Sequence, residues 1–520
     1  MSQPMTIKPD ESPPAPAQAG LVRELGTIDA TMIVMGAMIG SGIFITSAES
    51  ARLVGSPGWL LAAWALSGLM TLSGAISAAE IAAMMPRAGG QYVFLRESYS
   101  PMFGFLFGWA MFLVVQTGTI AAVAVAFAKF LGIFWPAIGD RVYLVEPIRL
   151  GGYGVSLSTQ QLVAIVLIAS LTAVNMRGLK LGKWIQNSFT FTKTAALLGL
   201  VVLGLTLGAN TGAAAWTSSW WNPRANGWDP ATASPNFSLA GPLALPMLLG
   251  LAMIGPLFSQ SAWNNVTFTG AETRNPGRTL PLALFLGCST VILLYLLANV
   301  AYIVSLPLDG IQHAPEGRVG TAVLEAIIGP RGQAIMAAAI LISTFGCVNG
   351  LVLAGARIYY AMALDGLFFR GVATTNRFHV PAVALIAQGL WAALLVLPVT
   401  MTADGAGGFT PGKLYDELLE YVIPVDVTFY SLMVGAVIAL RRKQPSAERP
   451  YRTIGYPLPI LIYITLAILL VVDFIYLRPG TSGKGYLIVL AGIPVYLVWS
   501  RVAAARKGSI ERDDSELTAP

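Results

Sequence analysis

Gly36-Ala-Met-Ile-Gly40-Ser41-Gly42-Ile-Phe44 places three glycines within seven residues in the middle of an apolar stretch. Each glycine weakens a helix by about 1 kcal/mol relative to alanine, so the chain is expected to unwind here. In an apolar surrounding, an unwound turn exposes N–H and C=O groups that something must satisfy. The half-helix after the break presents free N–H groups and a positive dipole end, which suit a carboxylate. The half-helix before it ends in free carbonyls, which suit an ammonium or another cation. One break can therefore hold both ends of a zwitterion. Gly36-x-x-x-Gly40 is equally the small-residue spacing that lets membrane helices approach closely, and this segment alone leaves both readings open.

A second interruption lies in Gly255-Pro256-Leu-Phe258-Ser-Gln-Ser261-Ala-Trp263-Asn264-Asn265. Pro256 removes a backbone hydrogen bond, and Ser259, Gln260, Ser261, Asn264 and Asn265 bring polar groups into an apolar run. Interrupted helices at matching positions of two halves point to a solute site in a transporter, and that correspondence favours a site over packing alone.

The elements that must position these breaks are membrane spans. The chain has 520 residues, 55% apolar and 11% charged, with a mean hydropathy of +0.67. Soluble domains carry roughly 25% charge; a surface this poor in charge suits lipid. Apolar runs long enough to cross a bilayer fall at 27–47, 58–85, 101–134, 159–176, 184–208, 241–270, 279–306, 331–363, 379–402, 414–441, 455–478 and 484–505. The fold expected is an all-α polytopic membrane protein of about twelve transmembrane helices. The two breaks sit in the first and sixth runs, dividing the chain into two five-helix halves, 25–208 and 241–441, and helices at 442–505. Lys and Arg crowd the loops on the N-terminal side, including Arg274, Arg278 and Arg441 to Lys443, which places both termini in the cytoplasm. Residues 1–24 carry five prolines and no apolar core and are expected to be a disordered cytoplasmic tail; 506–520 are expected to be a second cytoplasmic tail. The outer loop 209–240 carries Trp216, Trp220, Trp221 and Trp228, suited to the headgroup layer, and an Asn236-Phe-Ser238 triplet of little weight.

Other chemistries find little support. The net charge of +6 is spread out, without a basic stripe that would suit nucleic acid. His313 and His379, Cys288 and Cys347 are isolated in sequence, so no metal site, cofactor, disulfide framework or catalytic constellation is expected. Gly407-Gly-Phe-Thr-Pro-Gly412-Lys413 approaches a Walker A loop, but Leu414 stands where Ser or Thr is required. No channel filter motif or charged ring is apparent.

The pattern resembles the amino acid–polyamine–organocation superfamily, most closely the L-type amino acid exchangers and their bacterial relatives. The resemblance runs over roughly 21–505. It is carried by Ile39-Gly-Ser-Gly-Ile-Phe44, Ala79-Glu80-Ile, Pro86-Arg-Ala-Gly-Gly90-Gln-Tyr92, Ile185-Gln-Asn-Ser-Phe189 with Lys193, Trp263-Asn264, Glu272-Thr-Arg-Asn275-Pro276, Phe345-Gly-Cys-Val-Asn349-Gly350 and Arg449-Pro-Tyr-Arg452. It implies the five-plus-five inverted repeat also seen in LeuT, with two further helices, and an amino acid carrier working by alternating access. It implies that backbone N–H groups of Ser41 and Gly42 hold the substrate carboxylate, and that carbonyls of Ile39, Phe258 and Ser261 hold its amine. Phe258 resembles an aromatic gate, and Asn264 a polar residue close to the site. Ser261-Ala262 departs from the glycines frequent in the family, leaving less room for bulky aromatic substrates.

Lys193 lies about ten residues into the fifth run, where a lysine costs on the order of 3 kcal/mol near the bilayer centre unless it snorkels. The resemblance implies that its ammonium occupies a sodium site and bridges spans one and eight, making transport sodium-independent; a proton relay is the other role open to it. Glu420 and Asp426, six residues apart, face different sides of the tenth span, Glu420 at the wet outer end. Asp426 matches a position lining the substrate side-chain pocket. It is expected to meet a polar or cationic side chain, to take part in proton coupling, or to bond within the bundle. Arg357 and Glu272 can pair as an inner gate or snorkel separately. No cysteine lies in 135–158, where relatives attach a heavy chain, so no disulfide-linked partner is expected. The expected partners are an amino acid and the lipids of a cell membrane, most naturally a bacterial inner one. A non-transporting sensor, or a carrier of polyamines or other organic cations, would use the same breaks.

Overall fold

A computed structural model of the chain describes residues 23–86, 89–150, 153–177, 182–208, 219–233, 241, 243–378, 380–403 and 409–517, without the side chains of 150, 182–188, 232–233, 402–403, 409–411 and 502–517. Trp216, Asn236 to Ser238, His379, residues 404–408, the side chains of Ile185 to Ser188 and nearly all of the expected N-terminal tail lie outside that description, whereas the expected C-terminal tail continues the last helix to Leu517.

Apolar runs become helices because a helix satisfies its own backbone where no water can. The first run is two helices, α1 (Thr27–Met38) and α2 (Gly42–Val54), bent by 44° at the break between them. They are followed by α3 (Pro57–Met84), a short α4 (Gln91–Ser98) and α5 (Pro101–Leu131), whose middle turn Met111–Val115 is π-helical. Next come α6 (Thr159–Asn175) and α7 (Gly182–Leu207). The sixth run is three pieces, α8 (Ala244–Ala252), α9 (Ile254–Ser259) and α10 (Asn265–Phe268). Then follow α11 (Pro276–Ser305), α12 (Val319–Ile328), α13 (Pro330–Leu364), α14 (Ala382–Leu395), α15 (Leu414–Lys443), α16 (Leu458–Leu477) and α17 (Lys484–Leu517). Among the described residues eight helices are long and apolar enough to span a membrane, nine with α1–α2 counted as one. α6, the α8–α9 pair, α12 and α14 are apolar but shorter.

The helices sort by contact into two groups. α1, α3 and α11 pack together, with α2 against α8 and α9; α5, α6, α13 and α14 form a second group, and α15 touches both.

The expectation of an all-α chain is corrected at one end of the bundle. β1 (Tyr143–Leu150), β2 (Tyr153–Ser158), β3 (Pro398–Ala403) and β4 (Phe409–Pro411) form an antiparallel sheet in that order. Two loops distant in sequence pair here, since extended backbone beyond a helix end needs hydrogen-bond partners. The sheet is tied to α15 by Tyr153 and Tyr421, whose hydroxyls lie 2.6 Å apart.

Candidate functional site

The first break opens at Ile39, whose ψ of 95° leaves the helical region, and closes at Gly42. Its carbonyls are met by side chains from three neighbouring helices. On α11, Tyr295 donates to Met38 O at 2.9 Å and Tyr302 to Ile43 O at 3.2 Å. On α13, Ser343 donates to Ile39 O at 3.4 Å. On α7, Lys193 Nζ donates to Gly36 O. Lys193 is only 1% exposed, so it does not snorkel; it points into the bundle at α1. Cys347 of α13 stands beside Gly40, whose added Cβ would lie 3.2 Å from the sulfur. Among the described residues no carboxylate pairs with this lysine.

The N–H side of the break differs. Among the described residues, no hydrogen bond is donated by the backbone N–H of Ser41, Gly42 or Ile43. These begin α2, a helix of 13 residues, and carry its positive dipole end. Gly42 is also a packing contact: a Cβ there would lie 2.1 Å from Ser259 Oγ and 2.9 Å from Ser259 Cβ of α9. The two readings of the glycine cluster thus coincide at one residue. The close approach that requires glycine brings the free end of α2 against the sixth-run helices.

In the sixth run the backbone leaves the helix at Gln260 to Asn264, after α9, and not at Pro256, which fits inside the short α9. Ala262 adopts a φ of +64°, a conformation natural to glycine and costly for a side chain. Its N–H donates to Tyr430 Oη at 3.2 Å. Ser261 turns back on Phe258 O, with its hydroxyl at 2.8 Å and its N–H at 3.2 Å. The Phe258 carbonyl is therefore already engaged. Asn264 has both amide atoms committed, donating to Gln91 Oε1 at 2.7 Å and accepting from Tyr430 at 2.9 Å, while Trp263 stacks on Tyr430 with ring centroids 4.9 Å apart. Gln91 in turn donates to Phe429 O at 3.0 Å. This network pins the unwound stretch between α4 and α15.

Asp426 lies one turn before Tyr430 on α15, so the two share a face. It is 8% exposed. Phe258, 7% exposed, meets Tyr415 of α15 edge to face at 6.1 Å. Tyr415 Oη lies 3.1 Å from Ser41 Oγ, so one tyrosine touches both breaks. Beyond this pair, a small open recess is lined by Thr46, Glu49, Gly255, Asp416, Glu420 and Arg478. Glu420, expected to be wet, lines this recess and is also held by Arg478 Nε at 2.8 Å and Thr481 Oγ1 at 2.7 Å.

Sequence reasoning missed Tyr415, Tyr430 and the pair on α11. A signal for the last existed: Tyr295, Asn299 and Tyr302 recur at helical spacing in an apolar run, and all three serve α1–α2, Asn299 by accepting from Ser47 Oγ at 2.7 Å. Tyr415 and Tyr430 carried none, because each meets its partner only across the fold.

At the opposite end of α15, Glu80 of α3 is 1% exposed. Its carboxylate accepts from Arg441 Nε at 2.9 Å and Nη2 at 2.7 Å, and from the N–H and hydroxyl of Thr453, both at 2.8 Å. Arg449 lies 3.4 Å away. Two motifs far apart in sequence, around Glu80 and Arg449, are one ion-pair knot. Arg357 and Glu272 also meet, at 3.5 Å.

The comparisons with known proteins agree with this geometry. The chain is 28% identical to the mouse large neutral amino acids transporter small subunit 2 over 494 residues, 94% of this chain and 84% of that one. It is 28% identical to the serine/threonine exchanger SteT of Bacillus subtilis over 480 residues, 92% of this chain and 97% of that one. It is 25% identical to the human b(0,+)-type amino acid transporter 1 over 491 residues, 93% of this chain and 89% of that one. The family model described as amino acid permease matches residues 25–499. With helices enough for a multi-pass membrane protein and a backbone broken at two facing points, the chain belongs to the amino acid permease family.

Proposed function

We propose that this permease is a sodium-independent secondary transporter of amino acids, either an exchanger or a proton-coupled carrier. Its substrate binds between the α1–α2 break and residues 260–264. The observation that carries the reading is Lys193: an ammonium buried in the bundle and bonded to the Gly36 carbonyl puts a fixed cation where a mobile one would otherwise satisfy the break. The substrate carboxylate is taken by the N–H groups of Ser41 and Gly42. The amine is taken by the carbonyls of Ile39 and Ser261, with that of Phe258 freed if Ser261 turns away. Phe258 and Tyr415 form the lid, and Asp426 faces the substrate side chain. The names of the relatives make neutral and hydroxyl-bearing amino acids the first substrates to test, and the side chains of Ser261 and Ala262 disfavour large aromatic ones. A buried carboxylate at Asp426 also favours trying cationic amino acids and polyamines.

In this reading α6, α8–α9 and α14 also cross the membrane, giving twelve spans. The second and seventh (α3, α11), third and eighth (α5, α13), and fourth and ninth (α6, α14) then pack pairwise, as two interlocked inverted repeats would. The repeats are 25–208 and 241–441, followed by helices at 442–505. Both termini are cytoplasmic, the membrane is a bacterial inner membrane, and no heavy chain is disulfide-linked. The test is uptake of labelled amino acids into liposomes with sodium, with a proton gradient, or with unlabelled amino acid inside. Sodium-free uptake supports the proposal. Strict sodium dependence overturns the role of Lys193, and binding without flux marks a sensor.

A further inference from the structure

Asp473 takes no part in the site described above, yet it is the most exceptional acidic group in the bundle. It lies in α16, and both of its carboxylate oxygens are buried without a hydrogen-bond partner among the described residues. The side chain is pressed on α8, where a Cβ added to Gly250 would lie 2.3 Å from Oδ2; Leu470 is the next neighbour of that glycine. α16 packs against α3, α8, α15 and the turn at 479–483. α8 and that turn bring no ionisable side chain. The one acidic or basic residue of α3 is Glu80, which is held by Arg441 and Thr453. α15 brings Glu420, held by Arg478 and Thr481, Glu417, held by Thr400, and Asp416 and Asp426, acidic like Asp473 itself; its cations Arg441, Arg442 and Lys443 lie at the opposite end of the helix, Arg441 engaged by Glu80. On α16 itself the other ionisable groups are Tyr463 and Tyr476, and Arg478, which follows its last turn, is engaged by Glu420. Among the described residues the carboxylate has no compensating charge or donor, whereas adding one proton removes the charge.

We infer that Asp473 is a proton-binding site whose occupancy is read by α8, the outer half of the interrupted sixth helix. The inference rests on the proposed carrier function and deepens it by naming the coupling ion and its site. A proton from water on one side of the membrane adds to a carboxylate oxygen of Asp473. The neutral side chain then fits against Gly250. When the helices exchange partners during alternating access, Asp473 meets water on the other side and returns the same proton there. One proton bound and one released leaves the residue unchanged over the cycle.

The experiment reconstitutes the whole chain in liposomes containing a pH-sensitive dye and follows amino acid uptake and lumen pH together. The expected result is acidification in step with uptake by the wild type. In Asp473→Asn acidification falls at least tenfold relative to uptake, while exchange against preloaded amino acid persists. Uptake without acidification by the wild type, or acidification unchanged in Asp473→Asn, overturns the proton site and leaves the carrier reading standing. No uptake by the wild type in any mode overturns the carrier reading and the site with it. If Asp473→Asn is inactive even in exchange, Gly250→Ala decides. It keeps the carboxyl but forces it off α8, so fewer protons per amino acid support the site, and an unchanged ratio overturns it.

Discussion

Gly42→Ala tests the geometry of the first break most directly. The added Cβ would sit 2.1 Å from Ser259 Oγ, 2.9 Å from its Cβ and 3.1 Å from its Cα. Ordinary contact between such atoms needs roughly 3.5 Å or more, so rotating the hydroxyl away does not suffice and α2 must back off from α9 by the better part of an ångström. Overpacking of this kind costs about 1–3 kcal/mol. The backbone N–H of residue 42 survives, so any loss of binding comes from its displacement, and substrate affinity is expected to fall about 10- to 100-fold. The assay is binding or half-saturation of uptake for the best substrate, in a cycle with Ser259. Ser259→Ala removes the worst contact but leaves Cβ, and restores Gly42→Ala only in part. Ser259→Gly removes both side-chain contacts and restores it further. Each Ser259 variant alone costs about 1 kcal/mol through the lost bond to Gly255 O, which the cycle subtracts. Wild-type affinity in Gly42→Ala, or equal failure with and without Ser259→Gly, would refute the argument that close packing positions the carboxylate site.

Four further outcomes follow from the same contacts. Lys193→Ala is expected to lower sodium-free uptake at least tenfold, because the Gly36 carbonyl loses its buried cation; unchanged uptake in liposomes would remove Lys193 from the mechanism. Ala262→Gly relieves a left-handed residue and should raise the melting temperature of purified protein, by about 1 kcal/mol of stability before the entropy of the added glycine is subtracted; a lower melting temperature would count against the strain. Glu80→Ala strands Arg441 and Arg449, and since Arg441 is 25% exposed the cost should fall near the lower end for a broken buried pair, about 3 kcal/mol, seen as a clear drop in thermal stability. Asp426→Asn should change which amino acids compete for uptake or how uptake varies with pH. If a competition panel and a pH profile both match the wild type, Asp426 serves only the packing of the bundle.

Much of this molecule was legible in the chain. The spans follow from hydropathy because a bilayer accepts little but helices of a fixed length, and most observed helices start and end within a few residues of the runs read from sequence. The glycine-rich break was legible because glycine weakens a helix locally, whatever the surroundings. The interruption in the sixth run was read as Gly255 to Asn265, and the backbone departs inside that stretch, at Gln260 to Asn264; Pro256 itself stays helical, since a proline near the start of a short helix is tolerated. The sheet was not legible, since its strands lie in loops more than two hundred residues apart and gain their regularity by pairing. Glu80 and Arg449 stood in recognisable motifs, but that they are partners is a fact of packing.

The sequence by itself determined that this chain lives in a membrane, where its backbone can fail to be helical, and which family it resembles. Each of those depends on composition, local propensity or the order of motifs, all carried along one dimension. The tertiary structure decided what satisfies the broken backbone: Tyr295, Tyr302, Ser343 and Lys193 on the carbonyl side, while the N–H groups of Ser41, Gly42 and Ile43 have no partner among the described residues. It also decided that Tyr415 spans both breaks and that Asp473 lies bare against Gly250. These are relations between helices far apart in the chain, and hydrogen bonds and desolvation act over a few ångströms of space regardless of sequence distance.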